Sequence, residues 1–171
     1  MRAATTEAAG ARSATAGKAR ATALRMLAQR RLTEAQLRER LSRRGYPDDE
    51  IGAVVRSCRA EGFIDDALFA RLFIDGRGKA VGDARLVAEL VRRGIDRDAA
   101  KRSVATSERD EDERLAAAIV KFFRTRPEAS YPSAARALER LGFPAAAIYR
   151  QLRVRAAAAG PLGEDSPAEL P

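Results

Sequence analysis

Histidine is absent from the 171 residues, which removes the commonest general base and the commonest metal ligand. Tryptophan is absent as well, and aromatics make up only 5% of the chain. A single cysteine, Cys58, permits neither an internal disulfide nor a zinc cluster and fits a reducing compartment. It stands in Val54-Val55-Arg56-Ser57-Cys58, a stretch of helical spacing, so a buried core thiol is expected. No apolar run approaches the ~20 residues of a membrane span, and no apolar segment follows the N-terminal positive charges as in a secretory signal. The chain therefore reads as cytoplasmic, with no membrane partner. Gly76-Arg77-Gly78-Lys79 lacks both the eight-residue phosphate-loop pattern and a strand before it. Asp65-Asp66 reads as a helix cap rather than a metal pair. The expectation is a non-enzymatic protein with no catalytic, metal-binding or cofactor-binding residue and no cofactor.

What is present is charge and helix former. Alanine, leucine and arginine dominate, and these residues lose little side-chain freedom in a helix. Thirty-two Lys and Arg against 24 Asp and Glu give a formal net charge of +8 and a pI near 10.5. Such a balance suits an acidic partner, either nucleic acid or a protein surface near it. It equally suits a merely solvated, arginine-rich surface.

Residues 1–17 hold few apolar anchors and are expected to form a disordered N-terminal arm. Residues 158–171 combine three prolines with two glycines and are expected to form a disordered C-terminal tail. That tail carries three negative charges and no positive one. Between the two, apolar residues recur at helical spacing: Leu24, Leu27 and Ala28; Leu37 and Leu41; Ile51, Val54 and Val55; Leu68, Phe69, Leu72 and Phe73; Leu86, Leu90 and Val91; Leu115, Ile119, Phe122 and Phe123; Ile148 and Leu152. Thr33 and Gln36 have capping-box spacing. Asp48, Asp65, Asp83 and Asp96 each precede a periodic segment, where N-caps are expected. The acidic run from Glu108 to Glu113 falls where a long helix should begin, at the positive end of its dipole.

Self-similarity at a fixed period is the strongest signal. Arg43-Arg44-Gly45-Tyr46, Arg92-Arg93-Gly94-Ile95 and Arg140-Leu141-Gly142-Phe143 place their glycines 49 and 48 residues apart. Four residues before each glycine stands Leu41, Leu90 or Leu138, and ten after stands Val55, Val104 or Leu152. Glycine ends a helix in the left-handed conformation at least cost, and the large apolar residue after it folds back over the last turn. Each period thus predicts a helix, a glycine stop and a second helix, with a further helix upstream over 19–31, 66–76 and 109–124. The fold class expected is all-α, with three tandem three-helix repeat units forming an elongated, curved array. The units are expected over 18–62, 63–107 and 108–157. The third matches least well, with Pro127 and Tyr131-Pro132 in its first connection, as terminal repeats often do.

With catalysis unsupported, binding remains, and the candidate partner-binding residues are basic: Arg43 and Arg44 after the second helix, then Arg77, Lys79, Arg85, Arg92 and Arg93 in the middle unit.

These residues also carry a resemblance. Glu61-Gly62-Phe63-Ile64-Asp65-Asp66 with Phe69-Ala70 and Phe73 resembles the signature of bacterial RecX regulatory proteins. Arg77, Gly82, Arg85, Glu89-Leu90 and Arg93-Gly94-Ile95 continue it in register. Leu37-Arg38-Glu39-Arg40-Leu41, Gly45-Tyr46, Ile51 and Val55 fit that family's first unit. The likeness runs from about residue 21 to 155 and is strongest over 37–95. It departs at the stretch between Arg77 and Arg85, which is longer and more basic in the family and here includes Ala80, Val81 and Asp83. The resemblance implies a curved array of three-helix units that binds the recombinase RecA, or its filament on single-stranded DNA. It implies inhibition of that filament's strand exchange, ATP hydrolysis and co-protease activities, within DNA repair and the SOS response. The polar tails and the absence of a heptad seam lead to the separate expectation of a monomer.

Two other readings remain open on the residues alone. One is an independent basic DNA-binding helical module, a reading distinct from the weak nonspecific DNA binding that the net charge allows beside a protein partner. The helix after Gly45 argues against base reading, because it offers mostly Asp, Glu, Ala and Val. The other is a HEAT-like adaptor for an unrelated partner.

Overall fold

The computed structural model describes residues 17–77 and 81–158, with only the backbone of Arg77. The expected arm and tail, and Lys79, lie outside the described residues, except that Gly17 and Ala158 belong to helices. Every regular element among the described residues is helical: α1 (17–29), α2 (Glu34–Ser42), α3 (Asp48–Ala60), α4 (Asp66–Arg77), α5 (Asp83–Val91), α6 (Arg97–Ala105), α7 (Glu111–Thr125), α8 (Tyr131–Arg140) and α9 (Ala145–Ala158). They follow one another as three tandem sets of three. The described residues pack as two compact units, one of residues 17–76 with 87–107 and one of residues 77 and 81–86 with 108–158.

The glycine stops set the architecture. Gly45, Gly94 and Gly142 have φ of +79°, +85° and +89°. After each, the next residue donates its N–H five residues back, from Tyr46 to the Leu41 carbonyl, Ile95 to Leu90 and Phe143 to Leu138. The glycine itself donates three back, to Ser42, Val91 and Glu139. This is the paired bonding that satisfies the last carbonyls of a helix. The leucine four before each glycine therefore supplies a buried side chain and the carbonyl that closes the turn. Gly62, at φ +77°, ends α3 in the same way, with Phe63 N–H on the Cys58 carbonyl; the period alone does not mark it.

In the first unit α1, α2 and α3 enclose a core of Ala23, Met26, Leu37, Leu41, Val55 and Cys58, among others. In the second, α7, α8 and α9 enclose Leu115, Ile119, Ala134, Leu138, Ile148 and Leu152. Burying one such leucine or isoleucine contributes about 1.5–3 kcal/mol. Cys58 is wholly buried, and burial pushes its thiol pKa up.

Several expectations need correction. The inward face of α4 centres on Ala70 and Ile74, while Leu72 is 46% exposed. Ala28 is exposed, and Met26 takes the core position on α1. Asp65 and Asp96 do cap, accepting the Leu68 N–H at 2.8 Å and the Asp98 and Ala99 N–H groups at 3.0 and 2.9 Å. Asp48 does not: it is the first residue of α3, whose N-cap is Pro47. Asp83 is likewise the first residue of α5, and its carboxylate is drawn to Arg114. Tyr131-Pro132 belongs to α8, which Ser130 caps; proline fits the first turn because its missing N–H has no intrahelical partner there.

Candidate partner-binding surface

In the first unit, α2 starts at a capping box. The Thr33 hydroxyl accepts the Gln36 N–H at 3.1 Å, and the Gln36 side chain accepts the Thr33 N–H at 3.4 Å. Thr33 is fully buried because its hydroxyl also donates to the Arg93 carbonyl at 2.6 Å. The next N–H, of Glu34, is accepted by the Asp66 carboxylate at 2.9 Å. Gly94 comes so close to Ala35 that an added Cβ would lie 2.1 Å from the Ala35 Cβ. The start of α2 is thus seated on the end of α5 and the start of α4. Burial raises the pKa of Asp66, partly opposed by the Glu34 N–H.

The second unit repeats this joint with other residues. The Gly82 N–H donates to the Leu141 carbonyl at 2.9 Å, and the Asp83 N–H to the Glu111 carboxylate at 2.7 Å. Arg85 crosses Gly142 closely enough to leave no room for a Cβ there, and its guanidinium donates to the Arg140 carbonyl at 3.0 Å. Glu111 stands where Asp66 stands in the first unit, and burial raises its pKa in the same way. Arg114 is 2% exposed and paired with Asp83, and its Nε donates to the Asp110 carbonyl at 3.2 Å.

This geometry divides the candidate arginines. Arg85 and Arg93 serve the joints and helix ends. Arg93 donates to the Glu89 carbonyl at 2.7 Å and lies 4.2 Å over the Phe73 ring. Arg43, Arg44 and Arg92 are exposed and held only loosely: Arg43 by Glu39 one turn back, Arg44 by the Arg40 carbonyl at 3.2 Å, Arg92 by Glu89 at 4.0 Å. Arg43 and Arg44 close α2 while Arg92 and Arg93 close α5 beside the start of α2. The two pairs are therefore separated by the length of α2, about 12 Å from Ala35 to Arg43. The side chain of Arg77, and Lys79 entirely, lie outside the described residues.

Elsewhere some surface charges pair with one another. Arg20 grips Glu61 at 2.8 Å and Ser57 at 2.7 Å; these bonds from Arg20 and Ser57 lower the pKa of Glu61. Arg150 grips Asp112 at 2.7 Å. Exposed pairs of this kind contribute ~0–1 kcal/mol each. Sequence reasoning missed the buried Arg114 and the two capping carboxylates. The available signal was that Asp66 and Glu111 sit 45 residues apart, each opening the leading helix of a repeat. Among the described residues no group of three or more Asp, Glu, Cys or His is placed to hold a metal ion, and no helix is long and apolar enough to cross a membrane. What the arrangement offers is exposed guanidinium groups on a rigid helical frame, suited to carboxylate or phosphate.

Residues 19–58 match the family model described as RecX, first three-helix domain. A RecX regulatory protein of Thermobifida fusca is 35% identical over 136 residues, covering 75% of this chain and 73% of that protein. One of Mycobacterium avium is 40% identical over 89 residues, covering 48% of this chain and 51% of the relative. Among solved structures, the crystal structure of RecX from Lactobacillus salivarius superposes with a TM-score of 0.73 at 16% identity, over 85% of this chain and 99% of that one. A second crystal structure, of a regulatory protein RecX, gives 0.77 at 17% identity over 90% and 79%. At these identities the structural likeness establishes the fold.

Proposed function

The chain belongs to the RecX family of regulatory proteins, and we propose on that footing that it docks onto the RecA recombinase, or its filament on single-stranded DNA. Docking inhibits strand exchange, ATP hydrolysis and co-protease activity, which places the protein in DNA repair and the SOS response. It acts in the cytoplasm, as a monomer and without catalysis of its own. The observation that supports this reading best is the tripled helix–glycine–helix frame, which carries exposed arginines at its helix ends. Such groups meet phosphates or acidic side chains, as a nucleoprotein filament presents them. Arg43, Arg44 and Arg92 are the contacts proposed among the described side chains, with Arg77 and Lys79 proposed from sequence. Arg85 and Arg93 act through the joints they hold.

The test is the steady-state ATPase of the cognate recombinase on single-stranded DNA, titrated with this protein at moderate salt. Dose-dependent loss at or below equimolar amounts is the expected result. An unchanged rate with active recombinase would sink the proposal and leave a helical adaptor for another partner.

A further inference from the structure

The repeat register locates a second basic site, away from the seven candidate residues. Asp66 and Glu111 occupy the same joint position, so Ala67 corresponds to Asp112 and Arg71 to Ala116. Gly94 and Gly142 are the same stop, so Arg102 corresponds to Arg150, Ser103 to Gln151 and Thr106 to Val154. In the second unit the groove between α7 and α9 is partly closed by one anion. The Asp112 carboxylate takes the Arg150 guanidinium at 2.7 and 2.8 Å, while Gln151 donates to the Asp112 carbonyl at 3.0 Å. In the first unit the matching groove between α4 and α6 keeps the arginine and has alanine in place of the carboxylate. It is an open cleft of about 380 Å³, lined by Ala67, Arg71, Ala99, Arg102, Ser103 and Thr106 among others.

The cleft's two guanidinium groups hold no close ion pair, and Arg102 acts on Asp96 only at longer range. Neither Arg71 nor Arg102 has a carboxylate within ion-pair distance among the described residues, and the Ser103 hydroxyl makes no hydrogen bond there. The Thr106 hydroxyl is spent on the Arg102 carbonyl at 3.0 Å. Asp66 at one end is turned to the Glu34 N–H. Two guanidinium groups therefore face a space whose counterpart holds an oxyanion. The geometry points to a site for a backbone phosphate of single-stranded nucleic acid, held by Arg71 and Arg102 with Ser103 as a third donor. Phosphate is favoured over a protein carboxylate by what lines the cleft. Apart from the arginines and Asp66, its walls are alanine, serine and threonine with the buried Ile95 as the one large apolar residue, and no aromatic anchor of the kind that carries protein–protein contacts lines it, whereas phosphate contacts need charge and donors alone. Seating on bare nucleic acid is independent of the recombinase, so this site and the regulatory reading stand or fall separately.

The experiment uses the full chain and a fluorescein-labelled oligothymidine, with anisotropy measured across a salt series. The Arg71→Gln, Arg102→Gln double variant should weaken binding on the order of tenfold and flatten the slope of log affinity against log salt by about one phosphate's worth. Ala67→Asp should weaken it similarly while keeping both arginines, by supplying the intramolecular carboxylate the other groove already has. It lies in the first turn of α4, where a negative charge favours the helix, so the fold should hold; far-UV circular dichroism checks this. A charge-matched Arg31→Gln, Arg124→Gln variant should bind like the parent. Parental affinity in both site variants, or an equal loss in the charge-matched control, overturns the proposal. So does parental oligonucleotide binding with loss confined to recombinase inhibition, which would assign the cleft to an acidic protein surface.

Discussion

Asp66 accepts the backbone N–H of Glu34 at 2.9 Å, so the first turn of one repeat's leading helix caps the middle helix of the repeat before it. Glu111 does the same for Asp83 at 2.7 Å. In both joints a half-buried carboxylate takes over a task that a residue of the same helix usually performs. The joint thereby couples consecutive repeats through a backbone donor that has no partner inside its own helix.

The joint carboxylates should leave a signature in pH. Burial raises the pKa of Asp66 and of Glu111 from the ordinary carboxylate value. A raised folded-state value means the folded protein holds the proton more tightly than the unfolded chain, so each group favours folding below its unfolded pKa and loses that contribution as pH rises through its folded pKa. Asp66→Asn keeps an acceptor oxygen and cannot titrate. The melting temperature of the parent relative to Asp66→Asn should therefore improve as pH is lowered from 7 into the acid carboxylate range. A gap that is flat with pH, or that moves the other way, would contradict this.

Glycine at position 94 is required twice and at position 45 once. Both have positive φ, but a Cβ at Gly45 meets nothing within 4 Å while one at Gly94 meets Ala35 at 2.1 Å. Gly45→Ala should cost about 1–2 kcal/mol of backbone strain. Gly94→Ala should cost clearly more, since seating α2 against α5 must also give way. Ala35→Gly in the Gly94→Ala background should recover part of the difference. Equal losses at the two glycines in urea melts would remove the close approach from the account.

The stops and the period were legible because both rest on local chemistry: glycine at positive φ, the apolar residue that follows it, and the leucine whose carbonyl closes the turn. The family resemblance was legible for the same reason, being strongest around those turns. The division of arginines was not. Arg92 and Arg93 are adjacent in sequence, yet one points to solvent and the other lies on Phe73, and only the placing of α4 decides which. Arg114 reads as surface in a helix opened by acidic residues, yet it is buried because α5 begins opposite it. Asp83 reads as a cap because aspartate usually caps, but Arg114 draws its side chain away and Gly82 takes the preceding position.

That division predicts opposite phenotypes for neighbours. Arg92→Gln should leave stability within about 0.5 kcal/mol, as exposed substitutions do, and should weaken recombinase inhibition if the proposed contact is real. Arg93→Gln removes a ring contact and a bond to the Glu89 carbonyl, and should cost about 1–2 kcal/mol. Chemical denaturation measures both. Equal stabilities for the two variants would show that Arg93 is no more structural than its neighbour.

Arg114 and Asp83 should respond asymmetrically, because one partner is interior and the other reaches water. The Arg114 side chain is 2% exposed and that of Asp83 is 42%. One Arg114 nitrogen, Nη1, is buried without a hydrogen bond. Asp83→Ala strands a buried guanidinium, which in a fully buried pair costs about 3–5 kcal/mol; partial exposure of the aspartate screens the pair and brings the expected loss to about 1–3 kcal/mol. Arg114→Met removes the buried charge, fills similar volume, and leaves an aspartate that water can solvate, so it should cost less than Asp83→Ala or raise the melting temperature. In the double variant, Arg114→Met should cancel most of the damage done by Asp83→Ala. If Arg114→Met proves the more harmful single change, the arginine contributes through its packed stem and its bond to the Asp110 carbonyl, and the ion pair with Asp83 is secondary.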